Sequence, residues 1–475
     1  MNMNVRATLG ISLGLFGAAA TAHGSGFGLY QPSAVSHAMG GALVGKAMDA
    51  SANFNNPATL TDLTNLQFTA GFVTEHPRGR VEAGPAAGLC RKYPMDPGMF
   101  VLPHFQLAVP LPADFTFGFG MEPDYGLGTR YDDAWPLNFS ATETTIQSIV
   151  LNPNISYKIT DDWSVGVGLR WVYFEFEQYS LPQVSRDGTE LGRFGNRLRG
   201  DNGMKDFGWQ IGTKYDITDT FSVGLVYKSW IDVSVDGKTC NSVAHWNEEG
   251  VRGLARRSAY QGVYDRMREM QVPESMIPGM IAAMPRAQME QYVSQADATI
   301  RDTVRRTALS RTGSASAEIS LPQSIAAGFN WDVTPTWHVG SMLSWTQWSD
   351  FDNLHFDLQG GNKDTALNWR DTWRGSFGSC WDFAEDWKWM ASYTYDMDST
   401  TWTQASVMLP PADRHILGTG ISWNCWSGLE LTLSYACIFM DGGDMDMYDS
   451  LGDRWHLETC WGFCHAAGFS VTYRF

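Results

Sequence analysis

The sequence predicts an all-β chain: a fourteen-stranded antiparallel transmembrane β-barrel with an N-terminal hatch inside it and a helical extracellular loop insertion. Three observations predict it. Short polar turns recur along the chain. The aromatic-rich segments between them alternate with a period of two. One stretch near the N-terminus, rich in glycine and alanine, fits neither a strand nor a stable free helix.

Residues 1–22 read as a secretory signal peptide. Arg6 supplies the positive region, Leu9 to Ala20 the apolar core, and Ala20-Thr21-Ala22 a small-residue cleavage site. No later segment reaches about 18 consecutive apolar residues, so any membrane crossing must be made by strands.

The hatch is expected over residues 23–60. Within it, Val35, Met39 and Leu43 recur every fourth residue and predict a short helix somewhere between Ser33 and Met48, provided that something encloses it. The remainder, residues 61–475, is the predicted barrel. Turns centre near residues 112, 161, 219, 334, 384 and 426. Their separations of about fifty residues, with one about double, leave room for two strands and a longer loop each, and hence for an even number of strands. In the last strand Phe463, His465, Ala467, Phe469, Val471 and Tyr473 share one face, with Cys464, Ala466, Gly468, Ser470 and Thr472 on the other. The same period places Trp369, Trp373 and Phe377 together, opposite Arg370, Arg374 and Gly378. Trp163, Trp331, Trp337, Trp381, Trp387, Trp423 and Trp426 lie beside the short turns, where an interfacial aromatic girdle belongs.

The double-length gap holds an insertion, residues 240–317. Val251, Leu254, Val263, Tyr264 and Met267 recur at helical spacing, and Ala287 to Leu309 forms a second helical stretch beyond Pro273, Pro278 and Pro285. This loop is Met-rich and contains Arg252, Arg256 and Arg257, candidates for lipopolysaccharide phosphates.

The formal charge of −17 speaks against nucleic acid as a partner. Of seven cysteines, Cys90 and Cys240 are the only pair expected in extracellular loops and so the only pair considered for a bridge. No metal, cofactor or catalytic constellation stands out: Ser36-His37 lies in the hatch, where packing accounts for it. A general diffusion porin or a structural barrel is the competing class; a porin has no use for a long plug.

Four stretches add a resemblance. They are Gly26-Phe27 with the glycine-rich segment ending Asn56-Pro57-Ala58, then Pro123-Asp124-Tyr125-Gly126-Leu127, then Trp345 to Phe351, and finally Asn368-Trp369-Arg370-Asp371 through Pro411-Ala412-Asp413-Arg414. In this order and spacing the chain resembles the FadL family of outer-membrane transporters for hydrophobic compounds, the OMPP1/FadL/TodX type. The resemblance implies a Gram-negative outer-membrane protein and passive uptake of a hydrophobic small molecule, a long-chain fatty acid or a neutral hydrocarbon. It implies capture by extracellular loops, transfer to an apolar pocket that Phe27 reaches, and lateral exit through a strand kink at Asp124, Tyr125 and Gly126. Asn56, Pro57 and Ala58 would mark the handover from hatch to wall. Arg170, Arg370, Arg374 and His355 are candidate headgroup contacts, while Glu175 and Glu177 present acids where a base would be useful. The implied partners are outer-membrane lipid, lipopolysaccharide and, through the terminal Tyr473-Arg474-Phe475, the barrel assembly machinery.

Overall fold

The computed structural model describes residues 26–30, 32–85, 91–351, 353–359, 362–400, 407–408, 412–448, 454–459 and 462–475. The expected signal peptide, Cys90 and Pro411 lie outside the described residues.

Fourteen strands close into one ring. In chain order they are β1 Gln67–Pro85, β2 Phe100–Pro110, β3 Phe115–Glu122 resuming as Gly126–Arg130, β4 Glu143–Lys158 and β5 Trp163–Ser180. Strand β6 is Thr189–Asp201 resuming as Asp206–Thr218, and β7 is Phe221–Lys228 resuming as Ile231–Trp246. Strand β8 is Gly313–Leu321 resuming as Ser324–Thr334, and β9 is Trp337–Thr346 with an outer continuation Asn353–Leu358. The ring ends with β10 Thr372–Ala384, β11 Trp387–Asp396, β12 Arg414–Trp426, β13 Leu429–Met440 and β14 Gly462–Arg474. Each strand pairs antiparallel with the next. β14 closes on β1 in register from Gln67↔Arg474 to Arg78↔Phe463. Closure leaves no edge within the ring, which is what lets a sheet cross hydrocarbon.

The six predicted turns are the tight connections at one end of the barrel, and Trp163, Trp331, Trp337, Trp381, Trp423 and Trp426 beside them are exposed on its outside. At the turn before β3, Ala113 and Asp114 take positive φ (58° and 62°). The lumen face is small and polar, the outer face large and apolar: in β14, Cys464 and Ala466 are fully buried while Phe463 is exposed.

The short hatch helix expected between Ser33 and Met48 is α1, Ala34–Ala38; Gly40 and Gly41 follow at φ +64° and +77° and turn the chain out of the helix. Three expectations need correction. The insertion is helical only from Glu248 to Ser310, since Cys240–Trp246 pairs with Gly192–Arg197 of β6, and Gly313–Ala317 with Val235–Thr239 of β7, as strand. Cys240 therefore sits on a strand, exposed, with a free thiol. Trp369 does not share the outer face with Trp373: β10 begins at Thr372, and upstream of it the chain turns Trp369 inward, where it is buried.

Two short helical elements complete the hatch, α2 Ala52–Asn55 and a 3₁₀ turn Pro57–Asp62. The insertion consists of α3 Glu248–Glu269, α4 Ile277–Ala282 and α5 Arg286–Ser310. Asn247 caps α3 by accepting from Gly250 N at 3.0 Å. Val251, Leu254, Val293, Ile300 and Val304 form the helices' own small core, packed on Leu191 and Phe194 of β6.

Candidate functional site

The wall is interrupted at one level over much of its circumference. β3 breaks at 123–125, β6 at 202–205, β7 at 229–230, β8 at 322–323, and β9 beyond Thr346. The register carries this level around the ring: Tyr125 bonds Ser148, Ser148 opposes Phe174, and Asn202 N donates to Phe174 O at 3.0 Å. The Asn202 side chain stands in for the missing ladder, accepting from Phe174 N and donating to Val172 O, each at 3.0 Å.

Inside this level lies an aromatic cage, and Phe27 fills it. Its ring centroid is 4.9 Å from Trp348, 5.4 Å from Phe351, 5.8 Å from Tyr125, 5.9 Å from Trp369 and 6.4 Å from Phe174. Most of these contacts are edge-to-face, the geometry that aromatic quadrupoles favour. Gly26 must be glycine here: its φ is +53°, and a Cβ would stand 2.7 Å from the Trp348 ring. Above the cage an apolar lane runs outward along the inner faces of β5, β7 and β8 through Ile231, Leu321, Val233, Ile319, Val235, Ala317 and Phe176.

The backbone around Phe27 repairs the break in β3. Gly126 N donates to Phe27 O at 2.8 Å, Leu29 N donates to Asp124 O at 2.8 Å, and Gly28 bridges Tyr125. From the other side Ser148 Oγ accepts from Tyr125 N at 2.8 Å and donates to Tyr125 O at 2.9 Å. The hatch and a serine thus take the place of the strand pairing that β3 lacks.

Below the cage the lumen changes character. Arg170 is almost fully buried and ion-paired with Asp124. It also donates to Ser229 O at 3.1 Å and approaches Tyr125 OH at 3.4 Å. Glu122 accepts from Gln106 at 2.7 Å. Lys228 extends inward until its ammonium lies 3.2 Å from the Phe54 ring centroid on α2. No hydrogen bond or ion pair engages that ammonium among the described residues; Asp124, Arg170 and Glu122 are its charged neighbours.

The other predicted residues are placed as follows. Asn56 is buried against the wall, donating to Val44 O at 2.7 Å and Thr213 O at 3.0 Å and accepting from Ala58 N at 3.1 Å. Pro57 O accepts from Ser156 at 2.5 Å, and Ala58 is fully buried. Phe27, Asp124, Tyr125, Gly126 and Arg170 come together. His355 does not join them: it lies exposed on the outer continuation of β9, 3.2 Å from Asp357. Arg370 is exposed, with its Nε donating to Asp398 O at 3.0 Å. Arg374 is buried on the far side of the Gly26–Tyr30 segment, its guanidinium 4.1 Å from the Tyr30 ring centroid. Glu175 and Glu177 face away from the lane, because Phe174 and Phe176 take the inner face. They pair outside with Arg199 at 2.6 Å and Arg197 at 2.5 Å.

Sequence reasoning did not assign Phe174, Trp348, Phe351, Trp369 or Lys228 to the site, although Trp348, Phe351 and Trp369 lie in stretches that carry the resemblance. Lane parity could have found Lys228, since it shares the lumen side with the buried Ser222 and Val226 of β7. Parity could not place the tryptophans, because they sit just where the strands stop; for Trp369 it gave the wrong face.

Residues 15–475 match the model of a family described as outer membrane protein transport protein (OMPP1/FadL/TodX). A long-chain fatty acid transport protein of Escherichia coli O6:H1 is 23% identical over 446 residues, covering 87% of this chain and 88% of the relative. Outer membrane protein P1 of Haemophilus influenzae is 25% identical over 181 residues, 33% of this chain and 39% of that one. Among solved structures, a Pseudomonas aeruginosa FadL homologue superposes with a TM-score of 0.72 at 18% identity, covering 94% of this chain and 99% of the other. The Ralstonia pickettii toluene transporter TbuX does so with a TM-score of 0.61 at 14% identity, covering 94% and 100%.

Proposed function

Because this chain belongs to the OMPP1/FadL/TodX family, barrels of the Gram-negative outer membrane that transport hydrophobic compounds and are not enzymes, we propose that its substrate is a long-chain fatty acid. The observation that carries this reading is Lys228. An inward ammonium with no hydrogen-bond or ion-pair partner among the described residues, at the foot of an apolar lane, suits an amphiphile with a long tail above and an anionic head below. Relatives named long-chain fatty acid transport proteins support it.

In this reading a fatty acid is captured at the extracellular rim and follows the apolar lane. It displaces Phe27 from its cage and leaves sideways into outer-membrane lipid through the break at Asp124, Tyr125 and Gly126. Flow is passive, down the gradient. Lipopolysaccharide is the polar layer bypassed, and the barrel assembly machinery reads the terminal strand during insertion.

The test is uptake into liposomes containing the refolded protein, using labelled oleate, toluene and a small sugar. Oleate uptake is expected without sugar flux, and Lys228→Met is expected to lower oleate uptake about tenfold while sparing toluene. Toluene uptake without oleate uptake overturns the proposal. It would favour a second reading, uptake of neutral aromatic hydrocarbons, which the five rings around Phe27 support: a cage that holds a benzyl group edge-to-face suits a free monoaromatic of similar size.

A further inference from the structure

The Gly26–Tyr30 segment has a second side. Opposite the aromatic cage it walls off a cavity of about 30 Å³ lined by Gly28, Tyr30, His37, Glu75, Arg374 and Arg414. That is room for one or two waters, or for a carboxylate group. Arg374 and Arg414 are 7% and 4% exposed. They share Asp396, whose Oδ2 is 3.8 Å from one and 3.5 Å from the other, too far for strong hydrogen bonds. Neither Nε–H has an acceptor among the described residues. What both arginines do have is the segment itself: Arg414 donates to Gly26 O at 3.3 Å, and Tyr30 stacks on Arg374.

We propose that Arg374 and Arg414 form a carboxylate-receiving site that is exposed when the Gly26–Tyr30 segment leaves, so that an anionic ligand stabilises the open segment. This rests on the fatty-acid reading. The argument is one of differential affinity. A ligand shifts a conformational equilibrium only by what it gains in one state over the other. When the segment leaves, Arg414 loses the Gly26 carbonyl and Arg374 loses the Tyr30 face. Two buried guanidinium groups with idle Nε donors are then costly until an acceptor arrives. A carboxylate replaces both lost contacts with charge-assisted bonds. A neutral hydrocarbon replaces neither, so it must open the segment by filling the aromatic cage alone. Glu75, on the same cavity wall, opposes an incoming anion, so its charge works against opening by a fatty acid.

The experiment compares oleate with toluene uptake in liposomes for the parent, for Arg374→Gln with Arg414→Gln, and for Glu75→Gln, with heat-modifiable gel mobility as the check on folding. The arginine variant is expected to lose oleate uptake about tenfold and to keep toluene uptake. Glu75→Gln is expected to raise oleate uptake and leave toluene unchanged. Equal loss of both substrates in the arginine variant makes the pair purely structural and overturns the inference. So does oleate uptake unchanged in every variant, which leaves a cavity that holds water only. If the arginine variant does not fold, a Glu75→Gln protein with parental oleate uptake overturns it as well. Failure of the parent to take up oleate at all refutes the fatty-acid reading instead, so the two failures are distinct.

Discussion

Residues 26–30 and residues 42–62 of the hatch touch the same barrel in opposite ways. The deeper part is held by directional polar bonds. Asn330 clamps it twice, accepting from Gly45 N at 2.9 Å and donating to Ala42 O at 3.0 Å. Asn53 donates to Leu107 O at 3.1 Å and Phe119 O at 3.2 Å, and Gln210 donates to Asn53 O at 2.8 Å. Lys46 reaches Asp332 at 2.6 Å, and Lys214 pairs with Asp62. Glycines in the wall let the hatch backbone lie against it: a Cβ at Gly224 would collide with Val44 O, and one at Gly212 with the Asn56 side chain. The N-terminal part has a few backbone bonds, the Arg414 bond to Gly26 O and the Tyr30–Arg374 contact, and its main anchor is one ring among five others. Sliding the deeper part would strand buried donors and acceptors, each costing about 1–3 kcal/mol. A hydrophobic ligand can replace Phe27 in kind. The two regions differ in whether a substrate can substitute for what holds them.

The largest way to break this contrast is Gly224→Val. The added side chain meets Val44 O and forces the deep hatch off the wall, at a cost of about 1–3 kcal/mol or more. Sugar flux through an otherwise folded barrel is the expected readout, by liposome swelling; a tight barrel would mean that the wall yields rather than the hatch. Phe27→Ala is next. It empties the cage, and toluene is expected to bind about tenfold tighter because it no longer competes with the ring. Unchanged affinity, measured by quenching of intrinsic fluorescence, would show that Phe27 does not occupy the ligand's place. The smallest effect is expected from Ser148→Ala. It removes one acceptor and one donor at the break in β3, worth about 1 kcal/mol, and should speed hydrophobic uptake a few-fold with no sugar leak. Slower uptake would contradict exit at this place.

The barrel was legible because its rules are periodic. Six short turns, period-two alternation and turn-side tryptophans define fourteen strands without any knowledge of what they enclose. The insertion's helices were legible for the same reason, from Val251, Leu254 and Val263 onward. The candidate site was legible only in part. Phe27, Asp124, Tyr125 and Gly126 came from the family resemblance and do meet in space. Trp348 and Trp369 could not be placed by period, since they stand where β9 stops and before β10 begins; carried back to Trp369, the alternation of β10 puts it on the wrong face. The arginines show a further limit. Arg170, Arg374 and Arg414 all have lumen parity, yet one pairs with Asp124 beneath the cage while two flank Asp396 behind the segment. Parity gives the side of a wall; depth and angular position come from register and from what fills the lumen.

The patch over β3 has a consequence of its own. The carbonyl of Phe27 and the amide of Leu29 are rungs of the outer wall, while the ring of Phe27 is a stopper in the inner chamber. One three-residue stretch therefore belongs to two doors. In the proposed route, a displacement of this stretch that draws the ring out of the chamber would also pull the rungs from Asp124 and Gly126. The arrangement would then work as an interlock: cargo that cleared the inner door would by the same motion open the outer one, and between loads both would stay shut.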